Sequence, residues 1–394
     1  MKRCILLFLV SIFLCSCAGG GDVFFVEPLL SEPEESKEVS EESEYIYEYL
    51  PAGDKVMNGV WISQYDITDV WCNDEGQTPE SEFILHIDSI CKNISADGYT
   101  ALFVQLRPFG DSFYPSAFYP PSEYAVGAYG NAFDYDALEL FISAAHRYGL
   151  EFHGWINPFR LMEKNDVALL PDDSIIKTHI ENGDFTLFNG RYYIRPSDEE
   201  VKQLILNGIS EILHNYDVDG IHFDDYFYPT KDPSFDEADF AASGAKELYS
   251  WRRTNVSEFV KEVYALVKQA DKECVFGISP SGNMDYTYNT CCTDIYKWCS
   301  EIGYIDYIMP QIYFGFKHPD APFSQTLTKW QNIIKIPDVR LYVGLAAYKQ
   351  GTEDLNAGIA KNEWITDTDM LFRQADECTQ RTDGFVMFSY SYVY

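Results

Sequence analysis

The sequence is poor in the features that mark several common ligand classes. It holds 29 Lys and Arg against 62 Asp and Glu, a formal net charge of −33. So acidic a chain repels phosphate backbones, which argues against nucleic acid as a partner and favours a neutral or cationic ligand over a polyanion. No Gly-rich phosphate loop follows any of its apolar runs, so the cradle that holds nucleotides and dinucleotide cofactors is missing. No Cys-x-x-Cys or His-x-x-x-His spacing occurs, which removes the usual signatures of a metal site. Neither a metal nor a cofactor is expected. There is no internal repeat.

What is present is length and apolar surface. The 394 residues allow one large barrel or two ordinary domains. The chain is 46% hydrophobic and 16% aromatic, enough for a sizeable core. The aromatic residues gather near the ends of expected strands, where flat rings suit sugar faces.

The first residues read as an export signal. Lys2 and Arg3 precede an apolar run over 5–14 that is too short to span a bilayer comfortably. Leu14-Cys15-Ser16-Cys17 resembles a bacterial lipobox. The resemblance implies a signal peptide over 1–16, cleavage before Cys17 and lipidation of that thiol. The protein would then be exported and lipid-anchored to the outer face of a bacterial membrane or to the outer membrane. Residues 17–54, with Gly19-Gly20-Gly21 and the glutamate-rich stretch 31–44, read as a self-repelling acidic tether. Seven cysteines follow Cys17, an odd number, and sequence cannot pair them. Cys91 and Cys378 fall on apolar helix faces and read as small core residues.

From residue 55 onward apolar, β-branched or aromatic runs alternate with amphipathic stretches. Strands are expected over 59–63, 99–106, 150–156, 221–223, 275–279, 307–312, 341–347 and 385–389. Helices are expected over 81–97, 134–148, 245–270, 293–301, 323–334 and 365–379, with a further one opened by a capping box at Ser197-Asp198-Glu199-Glu200. Asn189-Gly190 predicts a hairpin inside the long third connection. Eight strands alternating with seven helices predict an α/β fold, a (β/α)8 TIM barrel over 55–394. A doubly wound sheet is the alternative. The sequence stops just after the eighth strand, so the final helix is expected to be lacking. Either the segment before Asn58 covers that gap or the barrel is open there.

Polar and aromatic residues follow each expected strand. Gln105 and Arg107 end the second, and Asp111 comes soon after. Trp155 and Asn157 end the third, His222, Asp224, Asp225 and Tyr226 the fourth, Gln311 and Tyr313 the sixth, and Tyr348 the seventh. Catalytic residues of such barrels sit at the C-terminal ends of strands. Caps and turns explain some of these residues one at a time. They do not explain Gln105, Arg107, His222 and Gln311, which are expected to project into or over the barrel mouth. Adjacent carboxylates beside aromatic rings fit glycosidic chemistry, which uses a carboxylate pair as acid and base or nucleophile. Adjacent strand residues face opposite ways, so Asp224 is placed at the mouth by its two-residue spacing from His222. Asp225 is then free to meet Arg107 or His222.

These segments resemble a known family. Asn58-Gly-Val-Trp-Ile-Ser63, Phe103-Val-Gln-Leu-Arg-Pro-Phe-Gly-Asp-Ser-Phe-Tyr-Pro-Ser116, Phe152-His-Gly-Trp-Ile-Asn-Pro158, Asp219-Gly-Ile-His-Phe-Asp-Asp-Tyr-Phe-Tyr-Pro229, Phe276-Gly-Ile-Ser-Pro280 and Asp306-Tyr-Ile-Met-Pro-Gln-Ile-Tyr313 occur in order. They are similar to the glycosyl hydrolase-like 10 family of bacterial exported proteins and lipoproteins. The resemblance implies a TIM-barrel glycoside hydrolase acting on cell-envelope or extracellular polysaccharide, with peptidoglycan glycan strands as one candidate substrate. On this reading Asp224, Asp225 and Asp111 are the candidate catalytic carboxylates, with Asp285 ranked below Asp111. Arg107, Gln105, Asn157, His222 and Gln311 would bind sugar hydroxyls or tune the acid, and Trp155, Tyr226, Tyr313 and Tyr348 would offer stacking faces. The expected strand 5 carries no Glu, unlike many retaining barrel enzymes. That keeps open an alternative, a catalytically inactive carbohydrate-binding lipoprotein. A polysaccharide deacetylase is disfavoured, because the metal-ligand spacing is absent.

Overall fold

The apolar runs become eight parallel strands: β1 (Met57–Ile62), β2 (Ala101–Arg107), β3 (Glu151–Ile156), β4 (Gly220–Phe223), β5 (Val275–Ile278), β6 (Tyr307–Ile308), β7 (Arg340–Ala346) and β8 (Gly384–Phe388). The computed structural model describes residues 49, 51, 56–73, 75–224 and 226–394. The export signal, Cys17, most of the tether and Asp225 lie outside the described residues. The strands pair in chain order, and β8 closes on β1 through pairs such as Asn58 with Phe385 and Gly59 with Val386. The fold is therefore the closed (β/α)8 barrel that the alternation predicts.

The intervening helices are α1 (Glu80–Ala96), α2 (Ala137–Arg147), α3 (Glu199–Asn215), α4 (Leu248–Ala270), α5 (Ile295–Trp298), α6 (Phe323–Ile333) and α7 (Met370–Arg381). On α1 the buried residues Phe83, Ile87, Ile90, Cys91 and Ile94 recur at helical spacing and seal the barrel wall. The cap of α3 differs by one position from the expected box. Asp198, not Ser197, accepts from the Val201 amide, and the Ser197 hydroxyl donates to Asp239 instead. The seventh helical stretch is broken into Glu363–Thr366 and Met370–Arg381. After β8 comes a single helical turn, Tyr390–Val393. It lies beside an apolar groove of about 280 Å³ lined by Phe385, Met387, Leu371 and Phe372. Asp66, after β1, accepts from the Ser63 and Ser389 hydroxyls at 2.6 Å and the Ser391 amide at 3.0 Å, which ties the barrel seam on the mouth side. Tyr49, within the stretch expected to be tether, is buried with its hydroxyl donating to Asp383.

The barrel interior is aromatic. Trp61, Phe103, Trp155, Tyr307, His153 and His222 pack ring against ring across it. Rings this large fit because strand neighbours are glycine. A Cβ on Gly277 would stand 2.2 Å from the Tyr307 ring, and one on Gly344 would stand 2.8 Å from Trp61.

The opposite end of the barrel carries a repeated device. The residue before each even strand, Thr100, Asp219, Asp306 or Asp383, bonds twice to the second residue of the preceding strand. Its amide donates to the carbonyl of Asn58, Phe152, Phe276 or Leu341, at 2.7–2.9 Å. Its side-chain oxygen accepts from the amide of that same residue, at 3.1, 2.7, 2.7 and 2.8 Å. Each contact satisfies a strand-end amide that the ladder leaves unpaired.

The long connection after β3 folds into a three-stranded antiparallel sheet of Arg160–Glu163, Thr186–Phe188 and Arg191–Tyr193. Its tight turn is Asn189-Gly190, with both φ angles positive (47° and 85°), the geometry that this dipeptide favours.

Candidate active site

Asp224 is the first residue beyond β4. It is 6% exposed, and Gln311 Nε2 donates to its Oδ1 at 3.2 Å. Gln311 is itself fixed, since the same Nε2 donates to the Ser279 carbonyl at 2.8 Å and its backbone bridges towards β5 and β7. Three strand ends therefore meet at one carboxylate.

Beneath it His222 is fully buried. Its Nδ1 is 2.9 Å from the Tyr307 hydroxyl, its Nε2 is 2.9 Å from the Ser279 hydroxyl, and the Trp61 indole N–H points at Nε2 from 3.4 Å. Burial, and then the neighbouring His153, push its pKa well below the ordinary 6.5. A neutral ring so enclosed supports the floor of the site; it does not face the opening.

Arg160 was not singled out in the sequence, yet it stands at the mouth. It follows Asn157-Pro158-Phe159, on the first strand of the connecting sheet. Its guanidinium lies 3.5 Å from the centre of the Tyr226 ring and 5.1 Å from that of Phe109. Its charge acts on Tyr226, Asp224 and Tyr65. Tyr226 and Tyr65 are 42% and 59% exposed, so two rings near Arg160 reach solvent. Across the mouth Phe388, also unmarked in the sequence, packs with Tyr313, Tyr348 and Trp155. The signal for Phe388 was the inward alternation of Val386 and Phe388 on the last strand.

Other expected site residues are committed within the fold. Gln105 donates to the Trp155 carbonyl at 3.1 Å. The Trp155 indole donates to Asn157 Oδ1 at 3.2 Å, and Asn157 Nδ2 donates to the Pro108 carbonyl at 3.1 Å. Arg107 does not project over the mouth. A register shift between Gln105 and Arg107 breaks the inward alternation of β2. The guanidinium instead packs 3.9 Å from the Tyr119 ring centre and against Gly208 of α3, where a Cβ would meet Nη1 at 2.8 Å. Asp111 is wholly buried and accepts from the Phe109 amide at 2.9 Å. Burial pushes its carboxyl above the ordinary range, against Ser122, nearby amides and Arg107. Asp285 is exposed in the first turn of a short helix, Met284–Asn289.

On the β2 and β3 loops sit two further carboxyls, Glu123 and Asp166. Burial raises both; Asp166 and Asp111 raise Glu123 further, and Glu163 raises Asp166 further. Among the described residues no three His, Cys, Asp or Glu side chains converge as metal ligands, and the seven cysteines there are all buried.

Comparison with known proteins agrees with the geometry. The chain is 35% identical over 322 residues to glycosyl hydrolase YngK of Bacillus subtilis, covering 75% of this chain and 61% of that protein. It is 28% identical over 280 residues to glycosyl hydrolase DigH of Escherichia coli K12, covering 64% and 63%. The chain thus spans about three fifths of the length of these relatives. Its fold is similar to the glycoside hydrolase domain of PgaB (BpsB) from Bordetella bronchiseptica, with a TM-score of 0.59 at 9% identity, covering 86% of this chain and 95% of that one. The family model for glycosyl hydrolase-like 10 matches residues 56–360, and the chain belongs to that family.

Proposed function

We propose that this protein is a glycoside hydrolase that cleaves polysaccharide of the cell envelope or its surroundings, peptidoglycan glycan strands among the candidates, while anchored to a membrane through lipidated Cys17. The observation that carries the catalytic part is the seat of Asp224. It is a carboxylate just past β4, oriented by Gln311, within the field of Arg160, whose other neighbours are the solvent-exposed Tyr226 and Tyr65. A carboxylate held in this place suits a nucleophile or base. Exposed rings suit the apolar faces of sugars. Of the described carboxyls on the β2 and β3 loops, Glu123 has its proton held more tightly by burial and by Asp166 and Asp111, and it is the next one to test as the acid. Asp225 is the further candidate from the sequence. Asp111, sealed beneath the mouth on the Phe109 amide, is assigned to the turn.

The relatives' names, glycosyl hydrolases both, support the activity. The membrane anchor rests on the lipobox-like Leu14-Cys15-Ser16-Cys17. No helix of the described residues is long and apolar enough to cross a membrane.

The test is a soluble 43–394 protein incubated with peptide-free cell-wall glycan strands and a polysaccharide panel, the products being analysed by mass spectrometry. New reducing ends support the reading. Glycan binding without turnover would make the barrel a carbohydrate-binding module instead. For the anchor, Cys17→Ser in the full chain is expected to shift the protein from the membrane to the soluble fraction, and unchanged partition would overturn it.

A further inference from the structure

The chain that carries Asp224 and Tyr226 runs outward to Asp236 before it returns along α4. One side chain grips its outer half. Arg252, in the second turn of α4, and Asp236 are both 0% exposed. Arg252 Nε donates to the two Asp236 oxygens at 3.1 and 3.0 Å, and Nη2 donates to Asp236 Oδ1 at 2.5 Å. The same Nη2 reaches the Asp232 carbonyl at 2.8 Å, and Nη1 reaches the Thr230 carbonyl at 3.1 Å. The guanidinium stands 4.8 Å from the ring centre of Tyr228, which is buried. Phe235, next to Asp236, is a second staple, since its ring meets Phe188 and Tyr193 of the connecting sheet and Tyr228 itself.

Such a pair is a poor way to gain stability. Dehydrating two charges costs several kcal/mol per ion, and an apolar pair of similar volume often serves as well. What the planar fork supplies is geometry, because its donors are fixed in one plane on three nitrogens, whereas an ammonium's three donors rotate about one. We infer that Arg252 is a positioning residue of the candidate active site. By gathering Thr230, Asp232 and Asp236 into one fork over Tyr228, it fixes the path of this segment and so holds Tyr226 and Asp224 in place at the mouth. This rests on the glycosidase reading above.

Two variants test it: Arg252→Lys, and the apolar double replacement Arg252→Met with Asp236→Leu. Each is assayed for kcat and KM of reducing-end release from peptide-free glycan strands, for melting temperature, and for hydrogen exchange of amides in 226–236. The double variant is expected to melt near wild type, yet to lose about tenfold or more in kcat, the scale of a misplaced reacting group, with KM changed much less. Loop amides should exchange faster in both variants. A folded variant with wild-type kcat would overturn the inference, and so would a fall in kcat with loop exchange unchanged. If neither variant folds, the pair is structural and the inference fails. If wild type itself releases no reducing ends, the glycosidase reading has failed, and the exchange data alone then decide whether Arg252 holds the loop.

Discussion

The two ends of this barrel use the same kind of residue in opposite ways. At the base, Asp219, Asp306 and Asp383 spend their oxygens on strand amides and on nearby cations or donors, His146, Lys268 and Arg340 among them. Thr100 does the same with a hydroxyl. These contacts repeat on every second strand and point inward to the fold. At the mouth, Gln311 donates to Asp224, and Tyr226 and Tyr65, on the same side, are 42% and 59% exposed. A carboxylate saturated by backbone donors holds a barrel together. Asp224, oriented at the mouth by Gln311, is the one proposed to do chemistry. In barrels of this kind the base serves stability and the mouth serves activity, and the role proposed for Asp224 follows that division.

The sharpest way to break this contrast is at Asp224. Asp224→Asn keeps the shape and the contact with Gln311 while removing the charge. It is expected to cost on the order of a thousandfold in kcat, about 4 kcal/mol, with the melting temperature little changed, because the group acts in the transition state more than in the fold. Steady-state kinetics and a melting curve on one preparation check both halves. Near-normal turnover would move the chemistry to another carboxylate, Glu123 first. The complementary change is Asp306→Ala. It strips the Phe276 amide of its side-chain acceptor and Lys268 of its carboxylate, and should cost about 1–3 kcal/mol of stability, the usual penalty for an orphaned buried donor. Its kcat should match wild type wherever the protein is folded. A variant of the base that lost activity without losing stability would dissolve the division between the two ends.

Much of this was legible in the sequence, and the misses share a cause. The barrel could be read because eight apolar, β-branched or aromatic runs alternate with seven amphipathic stretches, and the Asn189-Gly190 hairpin because that dipeptide accepts two positive φ angles. The place of Asp224 followed from counting two residues from His222. Arg107 misled the reading because counting assumes an unbroken ladder, and a register shift on β2 carries the guanidinium to α3. Arg160 stayed hidden because its place depends on a connection that leaves the barrel and folds back as a separate sheet, which no local pattern reports. The base aspartates were also missed as a set. Asp219-Gly220 and Asp383-Gly384 look like ordinary turns until the preceding strand is seen to offer its amide.

The smallest expected effect concerns Asp111, a mouth-side aspartate that behaves like those of the base. One oxygen accepts from the Phe109 amide. Burial raises its folded-state pKa above the ordinary 3.8, while Ser122, the amides and Arg107 pull the other way without winning. The sign of the linkage follows. A raised folded pKa gives a contribution to stability that is fully present below the unfolded value and is lost as pH rises through the folded one. At neutral pH the wild-type protein therefore carries a cost, either as a charge without water or as a proton that folding must take up. Asp111→Asn removes the titration and keeps an oxygen for Phe109. It should melt above wild type at pH 7, by a margin on the order of 1 kcal/mol, and the gap should close as pH falls towards 4. Turnover should stay within about twofold, a change of less than half a kcal/mol in barrier height. Melting curves across that pH range, with kcat at neutral pH, decide the matter. A large loss of kcat with the melting temperature raised as expected would mean that the buried proton is used in the reaction, and Asp111 would then rejoin Asp224 as a catalytic carboxyl.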